Sequence, residues 1–429
     1  MKQFSDIHYT ILGLLSTCGW VSLPLLELLD YGYTYRTRAL KTLLDGQYIR
    51  KSGKGRAKAY AISTKGRNLL AAYNPQRFGG GTKGVAKQLA RHPERSVQRG
   101  DAAAFLSFGG FSAHPNDKPA FPAYTPILLD GPEGADWRGL YRNTESHSYP
   151  NQPDQGVYRR RLTAVNCYYD STAVKELAVD SAGVSYSRAC GVLLTPSYLL
   201  RVYHSRDVAM KFHSTGEQNF QCLLLSPKIF TGYLPEEQNA ALVLGTDFTA
   251  AQHILEHHLA GHSSRMPLSA KKKGGKGYTT VKGLAGELVT PTNLGKPAFY
   301  LPLCKDSLPL LRLMAYPFWQ GFLVREICQG LLPDLEQAHW CFEKDGYMVY
   351  ILAALNLAQI DLAMRMVQGH SGRKVRIVCL DWQEPLFRPL LEPFAGQRDL
   401  WLTKLPAGFV EGLLQREKEY WEEADEGIL

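Results

Sequence analysis

Apolar positions at the front of the chain follow a helical period. Ile7, Ile11, Leu14 and Leu15 fall on one face of a first helix. Residues 21–29 form a second short apolar segment, with Ser22 placed to cap it and Pro24 in its first turn. Thr34 is placed to cap a third helix that runs to Leu44. Its core face is Ala39, Leu40, Leu43 and Leu44, which leaves Tyr35, Arg36, Arg38, Lys41 and Thr42 outside. Asp45-Gly46 stops it. The period then changes. Residues 47–51 and 57–63 read as short strands joined by the glycine-rich basic turn 52–56, and Thr64 caps a closing helix over 65–73.

Behind this module the pattern loosens and then becomes regular again. Asn74-Pro75 ends the module, and Phe78-Gly79-Gly80-Gly81 is a flexible break. Lys83, Lys87, Arg91, Arg95 and Arg99 recur every four residues, which on a helix lines one face with positive charge. Pro93 argues against one uninterrupted helix there. Residues 109–123 are rich in turn formers. Strand-like pieces follow at 162–169, 192–195 and 198–204, with a return at 208–213 and a helix from Thr215. From 240 onward an apolar strand is followed by an amphipathic helix five times: 241–245 before 249–259, 298–303 before 307–314, 347–353 before 358–367, 375–380 before 385–391, and 400–403 before a helix from 409. This order predicts a mainly parallel sheet with helices on its faces and right-handed crossovers. Residues 316–340 read as an inserted helix pair. The expected fold class is multidomain α/β: a module over 1–75, a basic connector over 76–123, an α+β segment over 124–235, and an α/β domain with a parallel sheet over 236–429.

Charge singles out the first module. Lys and Arg number 49 against 40 Asp and Glu, a net charge of +9. The first 100 residues alone hold 17 basic and 5 acidic side chains, a balance of +12, which leaves −3 for the remainder. A basic module on a near-neutral body suits a polyanionic partner. No apolar run approaches the roughly 18–20 residues that span a bilayer, and the polar stretch 1–6 is unlike a secretory signal. The eight cysteines (18, 167, 190, 222, 304, 328, 341 and 379) form no CxxC pair and several sit in apolar runs. They suit reduced, mostly buried thiols in a cytoplasmic protein.

The order helix, helix, helix, basic hairpin, helix over residues 5–73 resembles the winged helix-turn-helix family. The resemblance implies double-stranded DNA as the partner, with the third helix in the major groove and the hairpin tip along the phosphates. It marks Thr34, Tyr35, Arg36, Arg38 and Lys41 as groove residues and Lys54, Arg56 and Lys58 as wing residues. Arg36 and Arg38 are the expected base readers, because arginine grips guanine bidentately, whereas the lysines hold phosphate. Such modules also dock proteins. Many dimerise, although no heptad seam argues for a homodimer here. In domain order the chain resembles plasmid replication-relaxation proteins, which join a winged helix to a nuclease-related α/β domain. That likeness implies a role in replication, transfer or transcription of a mobile element.

Catalytic chemistry is less well marked. Asp207, Lys211 and Glu217 invite a nuclease-like reading around Mg²⁺, but no Asp is followed at strand distance by Glu-x-Lys. Asp247, Asp306 and Asp381 follow strands where ligands gather in parallel sheets. They either converge on a metal or cap the helices they precede. His253 and His257 share a helix face near His258 and His262, a spacing that suits either zinc or a solvated helix end. The arginine run 159–161 starts a strand or touches phosphate, and 271–277 is a basic loop without nucleotide-binding spacing. The expected protein binds DNA with no cofactor and no resident metal. The alternatives are a nucleic-acid-processing enzyme targeted by the module, and a protein-interaction scaffold.

Overall fold

The computed structural model describes residues 4–52, 58–79, 93–118, 166–176, 184, 187–195, 197–206, 211–224, 239–261, 265–271, 278–288, 290–291, 293–294, 297–316, 319–331, 339–369, 374–394 and 399–416. The chain divides into two units. The first comprises Met1–Ala120 with Cys167–Asp170, and the second the rest.

The first unit opens with α1 (Asp6–Cys18), whose Ile7, Ile11, Leu12 and Leu15 are buried. The expected helix over 21–29 is corrected. It begins as a two-residue strand, β1 (Val21–Ser22), and continues as a single turn, α2 (Leu23–Leu26). The cause is strand pairing, Val21 with Tyr60 and Ser22 with Ala59, which claims these residues before a helix can form. Next come α3 (Tyr33–Asp45), β2 (Ile49–Ser52), β3 (Ala59–Ile62) and α4 (Thr64–Tyr73). The three strands pair antiparallel in the order β1-β3-β2. Two caps differ from expectation. Gly32, not Thr34, precedes α3, so that helix starts early. Ser63, not Thr64, caps α4, its Oγ accepting from the Gly66 amide at 3.1 Å.

A short turn α5 (Pro75–Phe78) leads to α6 (Pro93–Phe108). Pro93 is the first residue of α6 rather than a break within a helix, a position where a missing N–H costs nothing. Read from sequence as connector, α6 is part of the first unit. Its Val97 is buried with Trp20, Ala59 and Ala61, and the Asp101 carboxylate accepts from the Ser22 amide at 2.7 Å. A Cβ on Gly100 would lie 1.8 Å from the Trp20 carbonyl oxygen, so only glycine lets the helix come this close. The strand β4 (Cys167–Asp170) also belongs to this unit: the Tyr168 amide donates to the Ser112 carbonyl at 2.9 Å.

In the second unit a short helix α7 (Ser171–Lys175) precedes β5 (Gly191–Leu194), β6 (Leu199–Arg206), β7 (Lys211–His213) and α8 (Ser214–Leu224). Then follow β8 (Asn239–Gly245), α9 (Thr249–Leu259), β9 (Arg265–Lys271), β10 (Tyr278–Leu288), β11 (Ala298–Pro302) and α10 (Leu308–Leu313). The last part holds α11 (Trp319–Leu331), β12 (Cys341–Lys344), β13 (Tyr347–Ile351), α12 (Leu357–Gly369), β14 (Lys374–Leu380), α13 (Glu384–Leu391) and β15 (Leu400–Leu405).

The five expected strand–helix units are all present, and the class is multidomain α/β. The strands, however, belong to two sheets rather than one. β11, β8 and β6 run parallel, with β5 antiparallel beside β6. β13, β14 and β15 run parallel in a second sheet, whose far edge is the antiparallel β12. The inserted stretch explains the split. It supplies one described helix, α11, and β12 follows it directly, occupying the edge of β13 that β11 would need. Asp345 and Gly346, both at positive φ, make the two-residue turn between β12 and β13. β11 instead meets the chain just after β13: its Tyr300 amide donates to the Leu355 carbonyl at 3.0 Å. The segment expected to return at 208–213 does so as β7 in a third, antiparallel sheet of order β7-β10-β9.

Gly100→Ala is expected to destabilise the first unit by about 1–3 kcal/mol, the usual cost of overpacking. Hydrogen exchange in β1 and β3 should quicken in step with that loss, and unchanged protection would refute the close contact.

Candidate nucleic-acid interface

The geometry of α3 follows from its first residue. Ala39, Leu40 and Leu43 are buried, and Arg36, three and four residues before the first two, shares their inward face. Its Nη1 donates to the carbonyls of Tyr31 at 3.0 Å and Leu29 at 3.3 Å. Arg36 is therefore corrected from base reader to brace: it ties the turn before α3 to the helix. The signal was in the sequence, since Arg36, Ala39, Leu40 and Leu43 stand at i, i+3, i+4 and i+7.

The outward face holds Thr34, Thr37, Arg38 and Lys41, all exposed and again at i, i+3, i+4 and i+7. Thr37 was not anticipated from sequence. Tyr35 is exposed at the flank, where its hydroxyl donates to Ser5 Oγ at 2.7 Å and its ring meets Tyr31 edge-on. Tyr33, in the first turn, is 70% exposed. The one acidic residue in α3 is its last, Asp45.

On the hairpin, Lys58 is exposed, while Lys54 and Arg56 lie outside the described residues. The flanking strand adds exposed cations held over buried rings. Arg50 stands 5.1 Å from the Trp20 ring centre and Lys51 5.7 Å from that of Tyr60. Of the expected stripe, Lys83, Lys87 and Arg91 lie outside the described residues, and Arg99 is paired with Asp170 at 3.8 Å.

The catalytic candidates of the second unit do not assemble. Asp247 and Asp306 follow strands of one sheet and Asp381 a strand of another; all three are exposed. Asp247 accepts from the Thr249 amide at 2.8 Å, and Asp381 pairs with Lys404 at 3.5 Å. Among the described residues no three His, Cys, Asp or Glu side chains gather as a metal set. Asp207, His262, the run 159–161 and the loop 272–277 lie outside the described residues, and only the backbone of Lys211 is described. His258 is held by Asp361 at 2.7 Å.

Glu217 is interior structure. It is buried and accepts from the Ser187 hydroxyl at 3.0 Å, the Tyr203 hydroxyl at 2.9 Å and the Arg188 amide. Buried Arg201 adjoins this group, donating to the Leu294 carbonyl. Burial pushes the thiols of Cys18 and Cys379 up to about 12 and that of Cys167 to about 11, so none is a nucleophile at neutral pH.

No helix among the described residues is long and apolar enough to cross a membrane. Comparison with protein-family models, curated proteins and solved structures finds no match to this chain.

Arg36→Ala should cost about 1.5–3 kcal/mol of stability through its lost charged hydrogen bonds, whereas Arg38→Ala should leave stability unchanged; thermal melts of the two variants compare them directly. A pH effect is expected in the second unit. Burial, reinforced by Arg206, holds the His204 imidazole down at about 3. The unfolded chain then binds the proton first, so stability is full above pH 6.5 and falls as pH drops from there towards 3. His204→Phe should flatten that slope in urea melts taken between pH 7 and pH 4. An unaltered slope would clear His204 as its source.

Proposed function

We propose that the first unit binds double-stranded DNA as a winged helix, with α3 in the major groove and the β2–β3 hairpin against the backbone. The observation that carries this reading is the outward face of α3, where Arg38 and Lys41 stand beside Thr34 and Thr37. The element order α1-β1-α2-α3-β2-β3-α4, its small antiparallel sheet and the +12 balance of the first 100 residues support it. In this reading Arg38 is the base-reading residue, Thr34 and Thr37 contact base edges or thymine methyl groups, and Lys41, Lys58, Arg50 and Lys51 hold phosphate. Lys54 and Arg56, which lie between β2 and β3 in the sequence, are assigned to the same phosphate set.

The test uses the full chain, because α6 and β4 complete the first unit. DNA selected from a random pool is measured by fluorescence anisotropy at several salt concentrations. Arg38→Ala should cost about 1–3 kcal/mol on the selected site and relax preference at one base pair. Lys58→Ala should weaken all sequences alike and lower the salt slope by about one. Undiminished binding by an Arg38→Ala, Lys41→Ala double variant, or selection that enriches no sequence, would overturn the reading.

A further inference from the structure

A cavity of 450 Å³ lies in the second unit at the N-terminal end of α12, within the size range of small-molecule sites. Its polar lining comes from Tyr198, Gln320, Asn356 and Gln359. Asn356 is 6% exposed, and its Oδ1 accepts from the Ala358 amide at 3.2 Å. A backbone N–H can be received only by the carboxamide oxygen, so the orientation is fixed and the NH₂ group is left for the cavity. That NH₂ has no partner among the described residues. A relay adds a second donor. The Tyr198 hydroxyl donates to Gln320 Oε1 at 3.3 Å, and Gln320 Nε2 donates to Gln359 Oε1 at 3.3 Å, which leaves the Gln359 NH₂ at its end.

The backbone is shaped around the same point. Leu355, fully buried, is held at φ +54° immediately before Asn356, a conformation a bulky side chain adopts only when its surroundings compel it. The 13-residue helix α12 starts there, with its positive dipole end at the cavity. The one charged residue among the described lining residues, Asp361, is already answered by His258 at 2.7 Å and Arg365 at 3.0 Å. Pro291, Pro297 and Leu362 supply apolar wall.

Among the described residues the lining therefore offers donors and a helix N-terminus with no lysine or arginine. Such a site suits a singly charged oxyanion on an apolar body and disfavours a doubly charged phosphate, which needs a cation. We propose that it binds a small organic carboxylate. The carboxylate oxygens are received by Asn356, Gln359 and the first turn of α12, and the apolar body lies against Pro291, Pro297 and Leu362. This inference does not depend on the DNA reading.

Isothermal calorimetry on the full chain with acetate, hexanoate and benzoate, beside hexanol and inorganic phosphate, tests it. Hexanoate or benzoate should bind saturably and hexanol should not. Asn356→Asp should abolish the binding. Gln359→Glu, on a half-buried position that caps nothing, should weaken it about tenfold or more and carries the test if the Asn356 variant fails to fold. The proposal is overturned if no carboxylate saturates, if hexanol or phosphate binds as well as hexanoate, or if Gln359→Glu binds like the parent.

Discussion

The first unit rests on a backbone-to-backbone approach. Gly100 brings α6 against the Trp20 carbonyl, and Asp101 receives the Ser22 amide beside it. That contact covers β1 and lets a two-residue strand persist. β1 in turn fixes β3, and β3 fixes β2 and the cations that β2 displays. A short strand cannot hold its pairing alone in water. The basic surface is thus set by a helix that begins 20 residues after α4 ends.

Long periodic elements were legible in the residue pattern. α1, α3 and α4 follow from their apolar spacing, and the five strand–helix units from alternating composition. What escaped was decided by partners elsewhere in the chain. β1 is too short to carry a period, and its pairing is with Tyr60 and Ala59. β9 and β10 hold glycine, lysine and threonine, which resemble a loop until the two strands are paired. The division into two sheets depends on which strand takes the edge of β13, a competition that β12 wins through a tight Asp345-Gly346 turn. At the candidate interface the type of surface was readable but the helix phase was not fully used. Placing the start of α3 at Gly32 and following its apolar face separates Arg36, inside, from Thr37 and Arg38, outside.

Two buried carboxylates of the second unit sit in closed sets. Glu217 is answered by two hydroxyls and an amide, and Asp361 by a histidine and an arginine. Buried charge is tolerated when every oxygen is met, and removing one partner strands the other. Asn356 differs from both: one end of its carboxamide is committed to a helix cap, and the other faces space.

Lys118 gives the first unit a different kind of seam. Its Nζ donates to the carbonyls of Ala113, at 2.8 Å, and Tyr168, and lies 4.5 Å from the Tyr169 ring centre. Burial holds it down at about 8. The two carbonyls are 55 residues apart in sequence, so this ammonium joins the Tyr168–Ser112 backbone bond in closing a long excursion of the chain. A gene fragment ending at residue 120 would synthesise the lysine but not the strand that receives it. The natural boundary of the first unit is thus a pair of cuts, one on each side of 167–170, rather than a single point along the chain.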